Sequence, residues 1–349
     1  MLQATQKSLK DAEALAQSLS RKAGLPDPKG LTRLAGGRNN QAFEVAFDEA
    51  EHVVLKRYHH DPRDPRHRLQ AEWSFLNYVW ERGVRNVPKP ICKDDAAHAA
   101  LIGFVAGQKP IAEQLDKADI DQAAFFIATI NQSPRDVMKL APGSEACFAL
   151  DQHIATVDRR VERIRILDPT VPHASEAQRL VDTGVQPAWA EIRKHLLQRI
   201  KADGWTMTAE LPTRQMCISP SDFGFHNALR DNQGNITFID FEYAGRDDPA
   251  KLICDFLCQP EIPVRAELMN FARDRLSSAL NLGEDEIERS KMLYETYCIK
   301  WICIMLNEFL SVGGARRAFA EGAAPDDRFA AQILKVRRSL TRLSETASN

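Results

Sequence analysis

The feature that most restricts the fold is where the two hydrophobic periods fall along the chain. Alternation with period two marks a strand with one buried face, and recurrence every three to four residues marks an amphipathic helix. The first kind is concentrated in about the first 105 residues. Phe43, Val45 and Phe47 alternate within Gln41–Phe47, and further β-like runs lie at Leu31–Ala35, His52–Tyr58 and Ala99–Val105. Two helices are predicted in the same region. Leu9, Ala12, Ala16 and Leu19 recur at helical spacing behind a Ser8/Asp11 capping pattern, giving a helix over 8–22. Leu69, Trp73, Leu76 and Trp80 give the second. Val84–Pro90 reads as extended chain, and Gly107-Gln108-Lys109-Pro110 as a hinge. From Ile111 to about Ile200 the spacing is mostly helical, with breaks near Ser133–Ser144 and Asp168–His173. Met216–Ser219 and Ala228–Ile239 supply short strands around the turn DNQGN. From Ala250 onward the pattern is helical, closing on the stripe Phe329, Ile333, Val336, Leu340 and Leu343. The expectation is an α+β chain, with a strand-rich N-lobe over 1–105 and a mostly helical C-lobe over 106–349.

Composition narrows the function classes. The 349 residues are 44% hydrophobic and 27% charged, enough for two lobes that each bury a core. A formal net charge of −2 gives no general attraction to nucleic acid or to an anionic membrane, so neither is expected as a partner. No apolar run reaches the length of a membrane span, and the N-terminus has no apolar signal core. The seven cysteines form no CxxC pair and read as reduced thiols, which points to the cytoplasm.

One segment carries chemistry. Ile218–Gly245, ISPSDFGFHNALRDNQGNITFIDFEYAG, holds Asp222, Asn227 and Asp240 on a loop and a hairpin. The turn DNQGN can fold the second strand back and return Asp240 toward Asn227. An amide oxygen and a carboxylate are hard ligands suited to Mg²⁺, and Asp222 is placed to orient an attacking hydroxyl. Each alone reads as a turn or strand-end residue; the ordered set is what carries the functional reading.

Lys56 lies in the apolar strand VVLKRY, where a buried ammonium is costly unless paired. Glu72 stands three residues after Leu69 and four before Leu76, on their inward helix face, and is the candidate partner. Gly36, Gly37, Arg38 and Asn39, within GGRNN between two β-like runs, offer backbone N–H groups that can close over phosphates. Neither GxxxxGK[ST] nor a strand-to-helix GxGxxG occurs, which argues against a P-loop enzyme and a dinucleotide fold. The basic stretch RYHHDPRDPRHR reads as a solvated linker. Asp247, Asp248 and Asp255 read as helix anchors, and Lys300, Trp301 and Glu308 as helix packing.

Taken together, these residues resemble the aminoglycoside phosphotransferase and choline kinase-like family. GGRNNQAFEV looks like its phosphate loop, VVLKRY its lysine strand, QAEWSFLNYV its glutamate helix and LIGFVAG its interlobe hinge. SDFGFHN resembles its catalytic loop, IDFEYAG its metal loop and DDPAKLICDF the helix that follows; the match runs in order from Leu31 to Phe309. The resemblance implies the bilobal protein kinase-like fold. It implies ATP and Mg²⁺ as cofactors and transfer of the γ-phosphoryl group to a hydroxyl of a small molecule: a sugar, polyol or amino alcohol. Asp222 is then the base, Asn227 and Asp240 are the metal ligands, and Lys56, paired with Glu72, binds the nucleotide phosphates. The backbone around Ile102, Gly103 and Phe104 meets the adenine, and the protein is a monomer or homodimer. There is one departure: Pro220-Ser221-Asp222 stands where the family has His-Gly-Asp, so an imidazole that braces the loop is missing. That departure motivates one rival, a nucleotide-binding pseudokinase; the basic stretch at 57–68 motivates another, a protein or RNA kinase.

Overall fold

The structure, a computed structural model, describes residues 2–34, 40–48, 51–62, 64–311 and 327–346. The chain forms two compact units. The first takes the chain up to Gln108 and resumes for Leu229–Tyr243; the second holds Lys109–Ala228 and the described residues from Ala244 on. The α+β expectation holds, with a five-stranded antiparallel sheet, two short two-stranded pairings and a largely helical remainder.

In the first unit, β1 (Gly30–Arg33), β2 (Asn40–Asp48), β3 (Glu51–Tyr58), β4 (Pro90–Asp94) and β5 (Ala99–Gly103) make a sheet of order β1-β2-β3-β5-β4. Every pairing is antiparallel. Phe43, Val45 and Phe47 of β2 join Val53 and Leu55 of β3 in one core with Ala12, Ala16 and Leu19 of α1 (Leu2–Lys22). Small residues at 12 and 16 let that helix lie close over the sheet. Because strand side chains alternate, Leu55 in this core sends Lys56 to the opposite face. Ala42 and Ala100 stand opposite Lys56 on the neighbouring strands, so its long side chain crosses a patch of methyl groups. α2 (Arg68–Glu81) buries Glu72, Phe75, Leu76 and Val79.

Strand β4 was not legible beforehand: in PICKD only Cys92 is fully buried, and the register shifts between Pro90 and Cys92. The short hairpin of β7 (Ala228–Arg230) and β8 (Ile236–Phe238) turns at DNQGN, with Asp231 accepting from the Gln233 and Asn235 N–H groups. Gly107 is required where the chain leaves the sheet. It has φ +147, and a Cβ there would meet the Arg230 carbonyl at 2.8 Å.

The second unit is built on α3 (Lys117–Ile130), α4 (Leu150–Arg163), α5 (Ala174–Leu180), α6 (Gln186–Ala202), α7 (Pro249–Cys258), α8 (Met269–Ala279), α9 (Glu284–Leu306) and α10 (Asp327–Thr346). Asp116 caps α3 through a reciprocal box with Asp119. Helix α9 runs through the middle and buries Leu293, Tyr297, Ile299, Ile302, Cys303 and Leu306. Two strands, β6 (Cys217–Ser219) and β9 (Gly245–Asp247), pair antiparallel. The second was not foreseen, since Gly-Arg-Asp carries no apolar alternation. No described helix is long and apolar enough to cross a membrane.

Candidate active site

The first group of predicted residues is drawn together inside the first unit. Lys56 Nζ lies 2.5 Å from Glu72 Oε2 and 2.6 Å from Asp240 Oδ1. Glu72 is held on both oxygens: Tyr58 Oη donates to Oε2 at 2.8 Å, and the Phe241 N–H donates to Oε1 at 3.3 Å. Burial would push the Lys56 ammonium toward neutrality, but Asp240 and Glu72 outweigh it and raise its pKa above the ordinary lysine value. Burial and Glu72 together raise that of Tyr58. Sequence reasoning paired Lys56 with Glu72 and missed Tyr58 as a third member. The signal was present, because Tyr58 is two residues from Lys56 and therefore on the same strand face.

Asp240 differs from its two partners. The Glu72 side chain is 1% exposed and that of Lys56 9%, but Asp240 keeps 38% of its side chain open. Its backbone is left-handed, φ +66, an uncommon state for a residue with a Cβ. The chain on either side is tied down. Phe238 N–H donates to the Asn86 carbonyl, and the Phe241 ring stacks on Phe75 of α2 with centroids 4.5 Å apart. Glu242 is buried, accepts from Asn40 Nδ2 at 2.7 Å and lies 3.6 Å from Arg68 Nε. Arg66 and Arg68 both lie over the Tyr243 ring. This corrects the reading of residues 57–68 as a solvated linker: Arg68 is buried and bonded to Asp64 at 2.6 Å.

Asp222 and Asn227 are brought together in the second unit. Strand β6 is fixed by Asn131, whose side chain brackets Ile218 by accepting its N–H and donating to its carbonyl. The chain then turns through Ser221, φ +64, and Asp222 N–H donates to the Pro220 carbonyl. Phe223 and Phe225 point inward, packing on Phe256 of α7 with centroids 5.0 and 5.5 Å away. Each buried ring contributes about 2–3 kcal/mol and anchors the loop between the polar residues. Asn227 Nδ2 donates to the Asp222 main-chain oxygen at 3.0 Å, which leaves the amide Oδ1 as its remaining ligand atom. The Asp222 carboxylate, 31% exposed, takes His226 Nε2 on Oδ1 at 3.1 Å. Burial would raise its pKa; His226, then Asn227 and Lys300, override that and hold it below the ordinary carboxylate value.

Behind this loop lies a closed set of charges. Lys251 Nζ is 2.5 Å from Asp247 and 3.5 Å from Asp255, and Lys300 Nζ is 2.6 Å from Asp255 Oδ1. Asp248 caps α7 through the Ala250 N–H and accepts from Arg289 Nε at 2.7 Å. The anchoring role expected of these aspartates is the arrangement seen.

Ile102 and Gly103 end strand β5, and the Gly103 N–H is spent on the Lys89 carbonyl at 2.8 Å. Phe104 follows, 38% exposed. Gly36, Gly37, Arg38 and Asn39 lie outside the described residues.

The sequence profile of the phosphotransferase enzyme family matches residues 30–257. The chain belongs to that family. No curated protein matches the full sequence. Among solved structures, a spectinomycin phosphotransferase in complex with ADP and spectinomycin aligns with TM-score 0.57 and 12% identity, covering 90% of this chain and 94% of its own. The choline kinase LicA from Streptococcus pneumoniae aligns with TM-score 0.56 and 15% identity, covering 93% and 97%. An amicoumacin kinase in complex with AMP-PNP, Ca²⁺ and Ami aligns with TM-score 0.52 and 17% identity, covering 96% of each chain. At such identities the likeness shows the fold, which is that of the protein kinase-like small-molecule kinases.

Proposed function

We propose that this phosphotransferase moves the γ-phosphoryl group of ATP to a hydroxyl of a small molecule, a sugar, polyol or amino alcohol, with Mg²⁺ assistance. The observation that carries the reading is the Lys56–Glu72–Asp240 cluster. It is a buried ammonium held between one closed carboxylate and one open one, in a chain of this family. Three N–H and O–H donors engage Glu72 and its side chain is 1% exposed, so it positions Lys56 and is closed to a ligand. Lys56 then offers its charge to the nucleotide phosphates, with the backbone at Gly36, Gly37, Arg38 and Asn39 as the phosphate loop and that around Ile102, Gly103 and Phe104 as the adenine contact.

Asp222 accepts the proton of the acceptor hydroxyl as it attacks. Its depressed pKa keeps it ionised at neutral pH, so it orients the hydroxyl as an acceptor of a hydrogen bond. The donors present suit a hard divalent cation: the Asn227 amide oxygen and the open oxygen of Asp240 are the two that would hold it. Such an ion supplies neutralisation of phosphate charge as the bond to the leaving group lengthens. The nucleotides in the spectinomycin and amicoumacin enzymes support ATP as the donor.

The test is ADP release from Mg²⁺·ATP by the native chain and Asp222→Asn, screened against sugars, polyols, amino alcohols and nucleosides. An acceptor-dependent rate in the native chain, lost by about a thousandfold or more in the variant with ATP affinity kept, is the expected result. ATP binding with no transfer to any acceptor would favour the pseudokinase, and near-native turnover in the variant would remove Asp222 from its role.

A further inference from the structure

We infer that His226 is the positioning residue of the catalytic loop: its Nε2–H donates to Asp222 Oδ1 and fixes the direction in which that carboxylate faces the acceptor. The inference rests on the proposed phosphoryl transfer and adds a residue to it that neither the motif nor the family match assigns. The loop has Pro220 two residues before Asp222, so no imidazole reaches the carboxylate from that side. Four residues after Asp222, one does.

Four observations carry this. First, the His226–Asp222 distance is 3.1 Å, and the ring is well covered, with 13% of its side chain exposed. Second, the other ring nitrogen, Nδ1, is buried with no hydrogen-bond partner among the described residues. A histidine kept for core structure spends both nitrogens; this one spends only Nε2, on the carboxylate. Third, the chain carries no side chain where the ring lies, a space the ring shares with Gln259, whose Cγ a Cβ on Gly224 would also meet at 2.9 Å. A Cβ on Gly224 would sit 2.9 Å from His226 Nδ1 and 3.2 Å from Cε1, so a side chain at 224 and the present ring position exclude each other. Fourth, the ring is backed by Trp301, edge to face at 84° with centroids 6.3 Å apart. Trp301 is itself pinned, donating from Nε1 to Asp255 Oδ1 at 2.9 Å.

Asp222 is therefore gripped twice by one short turn. Asn227 holds its main chain and His226 its side chain, and the closed charges behind α7 and α9 hold the tryptophan that holds the histidine. A free carboxylate would lose rotamer freedom each time an acceptor docked; this one has lost it in advance. The imidazole touches no substrate in this scheme and acts only through Asp222.

The full chain is tested in two ways. The first reads ADP release from Mg²⁺·ATP with water as acceptor, beside thermal melting. His226→Phe keeps the ring shape and removes the donor; kcat is expected to fall about thirtyfold with the KM for ATP within about twofold. His226→Gln places an amide N–H near Nε2 and is expected to return kcat to within about threefold of native. Should the phenylalanine variant not fold, His226→Leu, which also lacks the donor, takes its place with the same expectation. Native kcat in either, or a glutamine variant no better than the phenylalanine one, overturns the inference. The second test needs no turnover. Long-range ¹H–¹⁵N spectra of the ring should show a single Nε2–H tautomer in the native chain and a tautomer mixture in Asp222→Ala. An unchanged ring in that variant overturns the role even if the chain turns out to transfer no phosphate, so the two readings fail separately.

Discussion

The molecule uses the same ionic device twice, a buried lysine between two carboxylates. In the first unit Lys56 lies between Glu72 and Asp240; in the second Lys251 lies between Asp247 and Asp255. Both ammonium groups are dragged toward neutrality by burial and pulled back above the ordinary lysine value by their acids. They differ at one end. Asp247 and Asp255 are 0% and 1% exposed, so every charge of that set is answered from inside the protein. Asp240 is 38% exposed and sits on a left-handed residue, so one end of the other set faces outward. A closed set gives one packing of α7 and α9. An open set leaves one carboxylate accessible to solvent.

Four experiments break or sharpen that contrast. The largest effect is expected for Asp240→Asn: ADP release should drop on the order of a thousandfold while the unfolding free energy moves by about 1 kcal/mol, read by denaturant titration. Lys251→Met should do the reverse. It takes the lysine from the buried Asp247, while Asp255 keeps Lys300, and should cost about 3–5 kcal/mol of stability, with the ATP affinity of the folded fraction unchanged. If that variant instead lost only turnover, the division into open and closed sets would be wrong.

Next comes pH. His153, buried beside Asp248 and Tyr297, would be pushed down by burial; Cys147 and Asp248 raise it from 6.5 to about 9. Its folded pKa exceeds the unfolded one, so the native state holds more protons between those values. The contribution is complete below about pH 6.5 and is lost as pH climbs through about 9, at most about 3 kcal/mol in all. Melting curves from pH 6 to 9.5 should slope downward in the native chain and flatten in His153→Gln. The smallest effect is expected at the cap of α3. Asp116→Ala removes the acceptor for the Ala118 and Asp119 N–H groups and should cost about 1 kcal/mol, with neither lysine among the groups it touches.

Much of the fold was legible because two periods segregate along the chain. The alternation at Phe43, Val45 and Phe47 and the helical spacing at Leu69 and Leu76 are one-dimensional records of buried faces. What escaped was held by neighbours distant in sequence. Strand β4 has one deeply buried residue, and β9 exists because Gly245 fits beside Ala141 and Gly143, where a Cβ would not. Among the candidate site residues, Lys56 and Glu72 were paired in advance from strand and helix faces. The second grip on Lys56, the hold on Glu72 by Tyr58 and Phe241, and the burial of Arg68 against Glu242 were not foreseen. They join residues across as many as 184 positions, and no local pattern encodes such a meeting.

That span has a bearing on how the protein is made. Lys56 leaves the ribosome long before Asp240, and the sheet-bearing unit does not own all its parts until Tyr243 has emerged. The nascent sheet must carry a lysine with half its counter-charge through the synthesis of helices α3 to α6. A fragment ending at Gln108 would share the defect permanently, because the hairpin segment that brings Asp240 lies beyond its end.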